Sequence, residues 1–162
     1  MTDTEYQYGL RSRLQAADHA KRVAGALGGG HNAYCQILET ACAETLLGLY
    51  PDKHPEKWGV GLCQHDEINL IDIKQHLKPK HRNIIINEFG YDIAEVQLKD
   101  LAYDPLLSII CCRLSYLRIE YPIPNTLTER AEYWKEHYNR SGDGKPWQYI
   151  ERVHEILGDE WQ

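Results

Sequence analysis

The sequence predicts a mainly α-helical domain with a buried central helix, on three observations. Apolar residues recur every three or four positions over long segments. Clusters of Gly, Pro and Asn separate those segments. Residues 105–119, "PLLSIICCRLSYLRI", are apolar nearly all round, as a helix enclosed on every side would be.

The elements follow in order. Residues 6–26 carry Leu10, Leu14, Ala17, Ala20, Val23 and Ala24 at helical intervals. The glycines at 28–30 stop that helix, and His31-Asn32 is placed to cap the next. The second helix, about 33–49, puts Tyr34, Ile37, Leu38, Ala41, Thr45 and Leu49 on one face. Residues 50–59, "YPDKHPEKWG", form a proline-punctuated loop. A helix over 66–77 turns Ile68, Ile71 and Leu77 to one side, and "NIIINEFG" reads either as a short strand or as a helix ended by Gly90. Ile93, Val96, Gln97 and Leu101 carry a helical pattern, and Asp104-Pro105 opens the central helix with proline in its first turn. Asn125 or Thr126 starts a further helix, "SGDGKP" breaks it, and "WQYIERVHEIL" closes the chain.

The bulk properties narrow the function classes. With 162 residues, 43% of them hydrophobic, and a mean hydropathy of -0.56, the chain is expected to form one soluble domain over 1–162. No run approaches the roughly 18–20 apolar residues that span a bilayer, so no stable membrane insertion is expected. The first residues lack the basic and apolar regions of a secretory signal, so synthesis in the cytoplasm without a signal peptide is expected. A net charge of -6, with no basic run longer than "KPKHR", argues against nucleic acid as a partner. The five cysteines, Cys35, Cys42, Cys63, Cys111 and Cys112, include no CxxC pair and read as buried reduced thiols. Eight histidines occur, His76 and His81 close together, but without HExxH or paired Cys/His spacing; no metal and no cofactor is expected.

One acid stands out. Glu44 lies in "CAETLLG", and helical phase sets it beside Ile37 and Ala41 on the flank of the apolar face. Glu39 projects to the opposite side with Gln36 and Ala43, expected to face solvent. A carboxyl on that flank loses hydration, which raises its pKa toward that of a general acid near neutral pH; an ordinary helix-edge glutamate is the alternative. Downstream, "WGVGLCQHD" (58–66) offers Gly59 and Gly61 for close backbone approach and the Gln64 amide, and a glycine turn before a helix capped by Asp66 accounts for it equally. Finally, "HYNRSGDG" (137–144) puts Tyr138 and Asn139 at a helix end.

In this order, a glutamate ending a helix, then G-x-G-L-x-Q, then a buried helix, then Y-N-x-x-G-x-G, the chain resembles the soluble lytic transglycosylase and goose-type lysozyme family over about 33–150. The resemblance matches Glu44 to the catalytic acid and Thr45 to the hydroxyl residue after it. Gly61, Leu62 and Gln64 match G-L-M-Q, with Cys63 replacing Met. Ser108, Cys112, Tyr116 and Leu117 align with N-x-x-x-G-x-x-Y-L, where Ser108 stands for Asn and Cys112 for Gly. Tyr138, Asn139 and Gly142 match Y-N-A-G-x-G, where "RS" replaces "AG". These departures mark a divergent branch.

The resemblance implies a lysozyme-like (transglycosylase-type) helical domain. It also implies cleavage of the β-1,4 bond between N-acetylmuramic acid and N-acetylglucosamine, with the peptidoglycan glycan strand as partner. A single glutamate first donates a proton to the glycosidic oxygen, then acts as base while the C6 hydroxyl closes a 1,6-anhydro ring. Tyr138 would orient Glu44 or an N-acetyl group, and Gln64 would bind a sugar amide or hydroxyl, with Thr45, Gly61, Leu62, Tyr116 and Asn139 also at the substrate. Trp58, Trp134 and Trp147 are candidates to stack on sugars, core packing being the alternative for at least two. Asp66 is the nearest candidate for the second carboxylate of a hydrolytic lysozyme, although an N-cap role suffices for it. A bacteriophage or prophage origin is expected, with action on the cell wall after lysis or as part of a virion. The alternatives are a hydrolytic muramidase and a catalytically silent, lysozyme-like glycan-binding or structural module.

Overall fold

The computed structural model of the chain describes residues 5–51 and 59–162. Among the described residues seven α-helices account for the architecture: α1 (Arg13–Leu27), α2 (Gly30–Thr45), α3 (Glu67–His76), α4 (Pro79–Phe89), α5 (Pro105–Leu117), α6 (Leu127–His137) and α7 (Pro146–Leu157). Two 3₁₀ turns, Ile93–Glu95 and Leu98–Leu101, lead into α5. No strand forms among the described residues; Val60 and His65 make one isolated antiparallel bridge. The mainly helical expectation therefore holds, and no described helix is long and apolar enough to cross a membrane.

Two helices share the centre. α5 packs on α1, α2, α3 and the second 3₁₀ turn, and every residue from Leu107 to Tyr116 is buried. α2 packs on α1, α5, α6 and α7, and buries polar residues along with apolar ones. All five cysteines are buried around this pair.

Element boundaries differ from the expectations where side chains or left-handed backbone set the ends. α1 starts at Arg13 rather than residue 6, because the Ser12 hydroxyl accepts from the Gln15 amide at 3.0 Å. Before it, Tyr8 and Gly9 take positive φ, and the Gln7 amide bonds to the Gly48 carbonyl instead of a helical partner. Leu14, expected on the buried stripe, is 78% exposed. α2 begins at Gly30, with left-handed Gly29 as its cap, so His31 and Asn32 lie inside the helix.

α2 stops at Thr45, four residues early, because Leu46, Leu47 and Gly48 are all left-handed. Such a conformation is costly for a non-glycine residue, at about 1–3 kcal/mol. The Thr45 hydroxyl holds it in place, accepting from the Gly48 amide at 3.0 Å and donating to the Leu62 carbonyl at 2.7 Å.

In α3 the predicted stripe is overturned. Ile68 and Ile71 are exposed, and Leu70 and Ile73 are the residues turned inward, with Leu77 partly buried. At 100° per residue Leu77 is in phase with Leu70 and Ile73 and opposite Ile68, so helical phase itself favours the stripe that packs on α5. "NIIINEFG" resolves as the end of α4, closed by left-handed Gly90. The 92–101 segment buries Ile93, Val96 and Leu101 as expected, while Gln97 is exposed and the backbone is 3₁₀. Asp104 and Thr126 cap α5 and α6, accepting from the Leu107 and Glu129 amides. The 50–59 loop lies largely outside the described residues, and so does Trp58.

The clearest departure is Glu39. It is fully buried with Gln36, and Ala43 is buried too, so the side expected to face solvent faces α6 and α7. Arg130 of α6, 1% exposed, meets Glu39 through Nε and Nη2, each at 2.8 Å. The Tyr149 hydroxyl and the Trp161 indole N–H also donate to the carboxylate, at 2.8 and 2.7 Å. A buried carboxylate is tolerable only when paired and hydrogen-bonded in this way.

Candidate functional site

Glu44 sits in the last turn of α2, partly buried, where that helix meets α6 and α7. The Trp134 indole N–H of α6 donates to its Oε1 at 3.1 Å. With Asn139, Asp143, Gln148 and Arg152, Glu44 lines a cleft of about 270 Å³. Burial pushes its carboxyl pKa up from 4.5 to about 7, against the opposing pull of the Trp134 N–H, the Arg152 charge and Asn139. A carboxyl so placed carries a proton near neutral pH and can both give it up and take it back.

The segment opposite Glu44 is shaped by close approach. The Trp134 carbonyl accepts the Asn139 amide at 2.9 Å. Lys135 then gathers the loop, with Nζ 3.2 Å from Asn139 Oδ1 and 2.8 Å from the Gly142 carbonyl. A Cβ on Gly142 would lie 2.7 Å from Asn139 Oδ1, and one on Gly144 would lie 2.5 Å from the Trp134 ring. The glycines of "SGDG" therefore let this loop close over Trp134 and Asn139.

Tyr138 borders a second cleft of about 350 Å³, lined also by Gln64, Asp66, Asn69, His76, Arg118 and Arg140. Its hydroxyl donates to the Cys63 carbonyl at 2.6 Å, tying the "GLCQ" turn to the end of α6. Gln64 has a positive φ and bonds back to the Gly61 carbonyl through its own amide at 2.9 Å. Glu44 and Asn139 thus share one cleft, while Gln64 and Tyr138 share its neighbour.

The remaining predicted contact residues lie beneath these clefts, not in them. Thr45, Leu62 and Tyr116 are at most 2% exposed, and Gly61 is buried. Thr45 holds the end of α2. Leu62 is core. The Tyr116 hydroxyl is within 2.8 Å of Thr40 Oγ1, and its ring stacks on Tyr138 at 5.3 Å. Ser108 and Cys112 are likewise buried, with Ser108 Oγ accepting from the Cys63 amide at 3.0 Å, and Leu117 is partly buried against the core. Apart from Leu117, these residues are enclosed beneath the clefts and have no surface for a substrate.

Gly61 shows how tight the support is. Its φ is +80°, and a Cβ there would lie 2.3 Å from the Leu101 carbonyl oxygen. Gly61→Ala is therefore expected to destabilise the chain by about 2 kcal/mol or more, measurable by urea denaturation, since it combines a backbone strain with a backbone clash.

Asp66 is an N-cap, its Oδ1 accepting from the Asn69 amide at 2.7 Å, and it faces the second cleft rather than that of Glu44. The second carboxylate lining the Glu44 cleft is Asp143. Trp134 is buried as the Glu44 donor, and Trp147 is 62% exposed on the first turn of α7. Asp143, Gln148 and Arg152 were not legible as site residues, although the i, i+4 spacing of Gln148 and Arg152 does set them on one helix face. Among the described residues, no group of three or more His, Cys, Asp or Glu is placed to hold a metal. Comparison with protein-family models, with curated proteins and with solved structures finds no match to the chain.

Proposed function

We propose that the chain is a peptidoglycan-cleaving glycosidase of the single-glutamate, lytic transglycosylase type, with Glu44 as acid and then base. The observation that carries this reading is a partly buried carboxyl, its pKa raised to about 7, opening onto a cleft lined by the side-chain amides of Asn139 and Gln148. The protonated Glu44 gives its proton to the glycosidic oxygen as the C1–O bond breaks. The resulting carboxylate takes the proton of the C6 hydroxyl as that oxygen bonds to C1, which restores the acid and leaves a 1,6-anhydro sugar. The Trp134 N–H steadies Glu44 in its charged interval. A lysozyme-like fold and a phage-derived chain reaching the wall after lysis or within a virion fit the same reading, on the motif order.

Asp143 supports a second reading, hydrolysis, because it lines the cleft of Glu44 and a second carboxylate can activate water. Mass spectrometry of digested peptidoglycan separates the two. Anhydro-muropeptides are expected, and reducing ends would assign the reaction to a muramidase. Activity is expected to fall as pH rises through about 7, where Glu44 loses its proton. A limb that falls near pH 4.5, where an ordinary glutamate loses its proton, would contradict the raised pKa, and a flat profile would remove Glu44 from the acid role.

A further inference from the structure

We propose that Arg152 is a specificity-determining residue of the Glu44 cleft, binding a carboxylate on the muramyl branch of the substrate; this rests on the glycosidase reading above. One Nη of Arg152 donates to the carbonyl of Ala43, the residue immediately before Glu44, so the guanidinium is tethered to the backbone that carries the acid. Its Cζ lies over the Tyr50 ring, 5.8 Å from the ring centre. It is half-buried, lines the cleft with Glu44, Asn139 and Gln148, and makes no ion pair among the described residues.

The charged and titratable groups around Glu44, the acid it faces, are few. α2 supplies Glu44, the loop after α6 supplies Asp143, and α7 supplies Arg152 itself and Tyr149, whose hydroxyl is committed to Glu39. On the inner side Tyr116, Tyr138 and Cys112 are kept neutral by burial, which raises their pKa values well above the ordinary range. A cation beside a general acid works against the acid, because it favours the carboxylate. An anionic substrate group bound to the guanidinium cancels that effect as it docks, so a carboxylate-bearing glycan both binds better and leaves Glu44 better protonated. A neutral glycan does neither. The fork of a guanidinium matches a carboxylate, which a primary amide cannot reproduce.

The carboxylate has two sources. In intact strands the lactyl group is joined to the stem peptide and the acid groups are those of the peptide, whereas amidase-stripped strands expose the lactyl carboxylate itself. Chitin oligosaccharides have neither. The test measures kcat and KM on all three with the full chain and Arg152→Gln, which removes the charge and keeps a polar side chain. The variant is expected to raise KM about 10-fold on carboxylate-bearing strands and to give no such rise on chitin, where loss of the cation only leaves Glu44 better protonated. A rise confined to stripped strands identifies the lactyl group, and one confined to intact strands identifies the peptide. An equal loss on all three substrates, as a merely structural role would give, overturns the proposal, as does no change on any. If wild type cleaves none of them, the glycosidase reading falls, and calorimetry of intact and of stripped strands decides Arg152 separately. A Kd weakened about 10-fold on either by Arg152→Gln supports it, and equal Kd values on both overturn it.

Discussion

Glu44→Gln is expected to lower peptidoglycan cleavage by about 10²–10⁴-fold or more, the contribution of a positioned general acid. Glutamine keeps the shape and an oxygen for the Trp134 N–H, so the loss would reflect proton transfer and not collapse of the cleft. Stability should move the other way. The folded carboxyl keeps its proton up to about pH 7, while an unperturbed one loses it near 4.5. Between these values the folded chain binds more protons than the unfolded chain, so stability falls as pH rises, and the loss is complete above 7. The interval corresponds to about 3 kcal/mol. Urea denaturation should therefore find Glu44→Gln little changed at pH 4 and more stable than wild type by up to about 3 kcal/mol at pH 8. An equal difference at both pH values would mean that Glu44 is an ordinary helix-edge acid. Retained clearing by the variant would remove it from the chemistry.

Glu39→Ala carries the largest expected cost to stability. It leaves the Arg130 guanidinium buried without its counter-charge and strips a partner from the Tyr149 hydroxyl and the Trp161 N–H. Breaking one side of a buried pair costs about 3–5 kcal/mol. Replacing both members, as in Glu39→Leu with Arg130→Met, removes the orphaned charge and should recover much of that loss, although the other two donors remain unpaired. A double-mutant cycle in urea measures the coupling directly. A loss below 1 kcal/mol for Glu39→Ala would contradict its burial. Because Tyr149 also lines the Glu44 cleft, the same substitution is expected to loosen the wall that faces the acid.

These two glutamates show where sequence is informative and where it is not. Both lie on α2, and helical phase distinguishes them only relative to a presumed buried face. That phase set Glu44 at the flank, and the structure finds it partly buried in a cleft. The same phase assigned Glu39 to solvent, because it assumed that a helix has one buried side. α2 has helices on several sides, and a polar residue can be enclosed whenever a distant partner such as Arg130 meets it. The stripe on α3 failed for a different reason, since Leu77 is in phase with Leu70 and Ile73, which pack on α5, and not with Ile68 and Ile71.

The motif residues divide in the same manner. Their order along the chain does not say which side chain of each segment reaches the surface. Thr45, Gly61, Leu62 and Tyr116 turn inward because their segments cross the core there, and Glu44, Gln64, Tyr138 and Asn139 are left at the clefts.

What the sequence by itself determined is local. Most of the helices, the caps at Asp66 and Asp104, the glycine and proline breaks and the enclosure of α5 depend on groups within a few residues of one another, whereas α4 stood open between strand and helix and the start of α6 between Asn125 and Thr126. Tertiary structure alone decided the partners of the two glutamates, the meeting of Trp134 and Arg152 at Glu44, and the carboxyl pKa of about 7. Each of these depends on desolvation and charge from helices far apart in the chain, and no local pattern encodes that.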